Sequence, residues 1–241
     1  TSTRAFNLVS GIGFSREGYP VNSLFSYDFR GLNEDGVPTF INEAGVLTST
    51  DINFQETERF DNLVYSGPSE PTDVGSFGNI FQYKGLRLNV FITYSFGNVV
   101  RLDPVFSSIY NDLDAMPREF RNRWMTPGDE RYTDVPAIVS SRQVRNDSKL
   151  SYAYNAYNYS TARIAKGDFI RMKEISLTYD FPKRWIKKLR MSNLALKIQA
   201  TNLFLIYADK KLNGQDPEFF NTGGVAVPVP KQFTLTLKIG L

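Results

Sequence analysis

The sequence predicts an all-β fold, an antiparallel transmembrane β-barrel segment, and three observations carry that reading. Apolar and polar residues alternate with a period of two along several stretches. About six such stretches are present, each of about 9–13 residues, the length a tilted strand needs to cross a bilayer. The connections between them run approximately 16–75, 84–85, 97–168, 182–193 and 207–230, alternating long and short. Compact soluble folds seldom carry structureless loops longer than about 12–15 residues. A membrane barrel has short turns at one end and long loops at the other, so its connections must alternate. A soluble β-fold is the alternative at this stage.

Taken in order, the first strand, roughly Thr3–Ser15, is weakly marked. The connection 16–75 carries 11 acidic and three basic residues, too polar for a core, with turn chemistry at Asn33-Glu34-Asp35-Gly36. A second weak strand, Ser76–Lys84, meets the third across Lys84-Gly85, which reads as a short hairpin turn. The third is cleaner. Leu86, Leu88, Val90, Ile92, Tyr94 and Phe96 alternate with Arg87, Asn89, Thr93 and Ser95, and only Phe91 breaks the rule. The strand Phe169–Phe181 puts Ile175, Leu177, Tyr179 and Phe181 on one face. Its first half, with Ile170 and Met172, is out of phase, which predicts a bulge near Lys173–Glu174. The segment 182–193 is basic, with Lys183, Arg184, Lys187, Lys188 and Arg190 and no acid, and Trp185, Ile186 and Leu189 fit one amphipathic helical turn. The next strand runs from Leu194 through Leu196, Ile198 and Ala200, then shifts register around Thr201–Asn202. In the last, Phe233, Leu235, Leu237, Ile239 and Leu241 alternate with Gln232, Thr234, Thr236, Lys238 and Gly240.

Composition removes several functions. The 241 residues include no Cys and no His, so Cys/His zinc sites, thiol nucleophiles, Ser-His-Asp triads and disulfide frameworks lack their parts. A net charge of +3 is too slight to argue for nucleic acid. The longest apolar run, Leu203–Ala208, cannot form a transmembrane helix, and the chain does not open on a signal peptide. Acidic pairs such as Glu34/Asp35 and Glu56/Glu58 read as solvated loop charge rather than a hydrolytic pair. We therefore expect no enzyme, no cofactor and no metal. The candidate contact residues are aromatics of the long connections. Tyr152, Tyr154, Tyr157 and Tyr159, with Trp124, Phe219 and Phe220, would suit sugar rings or peptide backbones; an interfacial girdle or packing within a loop is the plainer role. If the apolar faces meet lipid, Arg87, Asn89, Thr93, Lys197, Gln199, Thr234 and Thr236 face the lumen.

Several segments resemble a known family. Gly167-Asp-Phe-Ile-Arg-Met-Lys-Glu-Ile-Ser-Leu-Thr-Tyr-Asp-Phe-Pro182 is similar to a "G-x-[YF]-[IL]-R-[LM]-K-x-[IV]-[ST]-L-x-Y-x-[LF]-P" segment near the end of SusC/RagA-type TonB-dependent outer-membrane transporters. Asn202-Leu-Phe204, Gly214-Gln-Asp-Pro-Glu218 and Pro228-Val-Pro-Lys-Gln-Phe233 resemble the segments that follow it. Upstream, Glu17-Gly-Tyr-Pro20 through Gly31-Leu32 and Asp35-Gly36, and Arg123-Trp-Met-Thr-Pro127 with Met125 inserted, match in order. The "G-S-P-x-P" loop is loosely kept as Ser66-Gly-Pro-Ser-Glu-Pro71.

The resemblance implies that residues 1–241 are the C-terminal part of a plugged barrel of about 22 strands. Nothing in the chain corresponds to the plug domain, TonB box or signal peptide. It implies a bacterial outer-membrane location and energised import of oligosaccharides or peptides. The implied partners are the rest of the barrel and plug, a SusD-like lipoprotein lid, TonB through the missing part, and the lipid and lipopolysaccharide bilayer; no nucleic acid is expected. The loop aromatics would then contact substrate or lid. A soluble all-β carbohydrate-binding module and a passive porin segment are the other readings.

Overall fold

The computed structural model describes residues 8–9, 16–52, 61–105, 118–188, 190–220 and 230–241. In chain order the strands are β1 (Ser23–Tyr27), β2 (Phe29–Leu32), β3 (Pro38–Ile41), β4 (Leu47–Thr48), β5 (Leu63–Pro68), β6 (Asp73–Tyr83), β7 (Leu86–Phe96), β8 (Val99–Arg101), β9 (Ile164–Lys166), β10 (Phe169–Asp180), β11 (Asn193–Ala208) and β12 (Gln232–Gly240). Three short helices lie fully within the described residues, α1 (Ser141–Asn146), α2 (Lys149–Asn158) and α3 (Lys183–Lys188), together with 3₁₀ turns. No helix among the described residues is long and apolar enough to cross a membrane. Two compact units result, one from 1–70 with 98–165 and one from 71–97 with 166–241.

The second unit is an antiparallel sheet in the order β12-β11-β10-β7-β6, built from the long period-two stretches. Register explains its pattern. Tyr83, Leu86 and Tyr179 lie in one row, Phe81, Leu88, Leu177 and Ile198 in the next, and Val90, Ile175 and Ala200 beyond. All stand on one face. The expected phase slip in β10 is a bulge at Lys173, since Met172 opposes Ile92 while Glu174 opposes Phe91. The extra residue returns Ile170 and Met172 to the apolar face, opposite Tyr94 and Ile92. In β11 the shift falls at Asn202, which takes the left-handed conformation at φ 53°. Phe91 breaks the alternation because its ring covers the space left by Gly78 across the ladder.

The β6–β7 turn places Lys84 and Gly85 at positive φ, 44° and 86°. A Cβ on Gly85 would also sit 2.9 Å from the carbonyl oxygen of Asp180, so the turn needs glycine on both counts. At this same end α3 closes the β10–β11 connection, with Ile186 buried and Trp185 exposed.

The first unit corrects the sequence reading. Stretch 16–75, expected to be too polar for a core, and the long connection 97–168 instead contribute short paired strands and helices around one. Phe25, Tyr27 and Phe40 from β1 and β3 pack with Ala153, Tyr154, Ala156 and Tyr157 from α2. Among the described residues of 16–70, Glu17, Glu34, Asp35, Glu43, Asp51, Asp61 and Glu70 are exposed while apolar side chains turn inward, which a net count of charge does not reveal. The weak first strand is corrected too. Of Thr3–Ser15 only Leu8 and Val9 are described, and both are helical and buried in this core; the remainder lies outside the described residues. The long sheet therefore has five described strands where about six were expected. The Asn33–Gly36 turn forms as read: Asn33 Oδ1 accepts from the N–H of Asp35 and Val37.

Candidate functional site

The polar face of the long sheet gathers the residues expected to line a lumen. Asn89, Ser176, Gln199 and Thr234 form one row across four strands, and Arg87, Thr178, Lys197 and Thr236 form its neighbour. Thr93 stands further along, opposite Arg171. Thus the seven residues expected to line a lumen share one face of the sheet, together with Ser176 and Thr178. Glu174 is their hub: its Oε1 accepts from Asn89 Nδ2 at 3.2 Å and lies 3.9 Å from Lys197 Nζ. Arg87 pairs with Asp180 at 3.3 Å in a solvent-exposed bridge. Glu174 and Arg171 were missed in the sequence because the bulge at Lys173 hides their phase.

Arg171 is the most enclosed charge of this face. Its guanidinium pairs with Asp216 and, at 3.2 Å, with Glu218, and it lies 5.3 Å from the centre of the Phe169 ring. Asp216 also accepts from the N–H of Glu218, capping the turn Pro217–Phe219. The segment Gly214–Glu218 is thereby fastened to β10 by a nearly buried ion pair. Phe219 and Phe220 are half-buried beside this fastening.

The remaining aromatic candidates belong to the first unit, and the structure divides them. Tyr154 and Tyr157 are only 1% and 2% exposed. A ring so enclosed offers nothing to a solute, so the expectation that these two contact substrate or lid is corrected: they are core. Tyr154 donates its hydroxyl to the carbonyl of Ala137 at 2.7 Å, and burial raises Tyr157 well above the usual phenol range. Tyr152 and Tyr159 remain half-exposed. Arg101 lies 5.5 Å from the centre of the Tyr159 ring and donates to the carbonyl of Phe25 at 2.7 Å; burial pushes it down to about 10, and it stays cationic at neutral pH. Trp124 is half-buried, its ring against Gly36 and its Nε1 donating to Glu130 at 3.2 Å.

What the arrangement can do is bounded by chemistry. The long sheet offers a polar face, an apolar face and a fastened loop. Among curated proteins, TonB-dependent receptor P39 of Formosa agariphila is 28% identical over 167 residues, which is 64% of this chain and 14% of that protein. TonB-dependent receptor P3 of the same organism is 24% identical over 211 residues, covering 84% and 19%. The chain resembles the SusC/RagA-type TonB-dependent receptors and fits their C-terminal barrel portion. The structure of the RagAB peptide transporter matches 93% of the chain and 23% of its own at a TM-score of 0.67 and 22% identity. The RagAB peptide importer in its open-open state matches at 0.64 and 21%. No family model matches. At this identity the RagAB likeness concerns the fold, and the chain spans under a quarter of the proteins it matches.

Proposed function

We propose that residues 1–241 are the C-terminal barrel part of an outer-membrane importer for oligosaccharides or peptides, energised through TonB and covered by a SusD-like lipoprotein. One observation carries this reading. The apolar face of the long sheet is exposed on each of the five strands, with Phe77 61%, Leu86 42%, Leu177 44%, Ile198 53% and Phe233 74% open. A patch of that extent on a water-soluble surface marks an interaction site or a membrane. Lipid satisfies it on every strand at once, whereas a carbohydrate-binding module leaves it to water. The likeness to TonB-dependent receptors supports the same reading.

In this reading the face with Arg87, Asn89, Thr93, Lys197, Gln199, Thr234 and Thr236 looks into a plugged lumen. Tyr152, Tyr159, Trp124, Phe219 and Phe220 are the remaining aromatic candidates for lid or substrate. Import involves no chemistry on the cargo, so the protein is not an enzyme. The test is uptake of labelled peptides and oligosaccharides by cells carrying the full-length receptor, with and without TonB. Uptake that needs both receptor and TonB is expected; uptake unchanged on losing TonB would overturn energised import.

A further inference from the structure

The two ends of the long sheet differ in charge. At the short-turn end, Lys84 caps the β6–β7 turn, and Lys183, Arg184, Lys187, Lys188 and Arg190 surround α3. Arg87 and Lys238 stand on the adjoining strand ends. These elements are held together, since Asp180 donates its N–H to Gly85 O at 2.8 Å and Ser192 donates to Gly240 O at 2.9 Å. Asp180 is the one acid in 82–87, 178–194 and 236–240, and it already pairs with Arg87. The opposite end is mixed, with Asp73, Asp168, Asp209, Asp216 and Glu218 beside Lys166, Arg171, Lys210 and Lys211.

Aromatic rings border the cations on the apolar side. Tyr179 and Phe181 stack edge-on at 4.9 Å, and Phe181 reaches Trp185 at 6.2 Å. Arg184 lies 5.9 Å from the centre of the Trp185 ring, and Lys84 Nζ 5.0 Å from that of Tyr83, so both cations are held beside exposed rings. Burial of Ile186 fixes α3 against the sheet end with its cations outward. Cations just beyond an aromatic border, next to an apolar face, match a phosphate headgroup above acyl chains.

We propose that this end of the sheet binds anionic glycerophospholipids, their phosphates on Lys84, Lys183, Arg184, Lys187, Lys188 and Arg190 and their chains against Tyr83, Leu86 and Tyr179. The proposal rests on the reading above that the apolar face lies in a bilayer. The test offers the full-length receptor in mild detergent equal amounts of phosphatidylglycerol and phosphatidylcholine with the same acyl chains, and counts bound lipid by native mass spectrometry. The wild type retains phosphatidylglycerol over phosphatidylcholine by about tenfold or more, since each cation near an anionic surface contributes roughly fivefold. Arg184→Gln and Lys187→Gln each reduce the preference several-fold, and neutralising all five cations from Lys183 to Arg190 removes it.

Equal retention of the two lipids by the wild type, or an unchanged preference in the five-fold variant, overturns the proposal. Displacement of the lipid by excess inorganic phosphate also overturns it, because the site would then serve a free anion. Should the five-fold variant fail to fold, the wild-type ratio and the single substitutions still decide. A receptor that holds neither lipid counts against the bilayer reading itself; one that holds both without preference counts only against this surface.

Discussion

Gly36 illustrates how narrowly single residues hold the first unit. Its φ is +72° and an added Cβ would meet Trp124 Cδ2 at 2.5 Å. Gly36→Val therefore combines left-handed backbone, about 1–2 kcal/mol, with overpacking of about 1–3 kcal/mol. We expect the 118–135 segment to become protease-sensitive at lower temperature. Arg163 is almost wholly buried, paired with Glu119 at 2.7 Å and donating to the carbonyl of Asp103. Glu119→Gln leaves a buried guanidinium short of its counter-charge, at a cost of about 3 kcal/mol or more, read as a lower midpoint of heat-induced proteolysis. Asp129 supplies a pH dependence. The N–H groups of Thr126 and Met125, each at 3.0 Å, hold its carboxylate below the usual range. Its folded pKa is depressed, so the stability it gives is full above the unfolded value and is lost as pH falls through the folded one. Hydrogen-exchange protection factors of Met125 and Thr126 are expected to drop from about pH 4 downward, and to be low at every pH in Asp129→Asn. These roles were hard to read in advance: Arg163 and Glu119 are far apart in sequence, and nothing local marks either as buried.

At the scale of elements, the long strands were legible because one environment covers each whole face. A uniform apolar partner writes a period of two into every strand, and even the bulge at Lys173 announced itself as a slip in phase. The short strands of the first unit, two to six residues long, offer too few periods to recognise. The helix α2 was misread for another reason. Tyr154 and Tyr157, with Ala153 and Ala156, repeat at the three-residue spacing of a buried helical face, but alternating tyrosines drew attention to surface roles. Ser140 and Gln143 form a capping box at α1 just upstream, a helix signal present in the sequence. The two faces of β7 make a direct test. Val90→Arg puts a cation on the apolar face in the middle of the strand, about 2–4 kcal/mol near a bilayer midplane, whereas Asn89→Arg stays on the polar face. We expect the first to reduce the heat-modifiable, membrane-inserted fraction and the second to leave it near wild type. Equal effects would contradict the assignment of faces.

For the molecule as a whole, the decisive property is that the five-stranded sheet is open. Among the described residues β6 and β12 each have a partner on one side only. In hydrocarbon every unpaired backbone group costs several kcal/mol, so these edges call for further strands. The 241 residues expressed alone are expected to sediment without detergent, measured by ultracentrifugation and light scattering. A monodisperse soluble monomer that unfolds cooperatively would refute the membrane reading. The five strands of this sheet could be read from the chain, whereas its two-unit division could not, because the first unit is assembled from stretches separated by a hairpin.

That hairpin has a consequence for the order of folding. Asp73 and Phe96 are cross-strand partners, Thr72 donates to Phe96 O at 3.0 Å, and Gly97 donates to Asp168 at 2.7 Å. Once β6 and β7 have zipped, the chain leaves 1–70 and enters 98–165 at neighbouring points. The entropy of bringing those two ends together, roughly 3 kcal/mol for a free loop of that length, is then supplied by the ladder. The hairpin acts as a clasp, raising the effective concentration of each half of the first unit for the other. Lengthening or trimming β6 and β7 by matched residues changes the length of the clasp without altering where it closes.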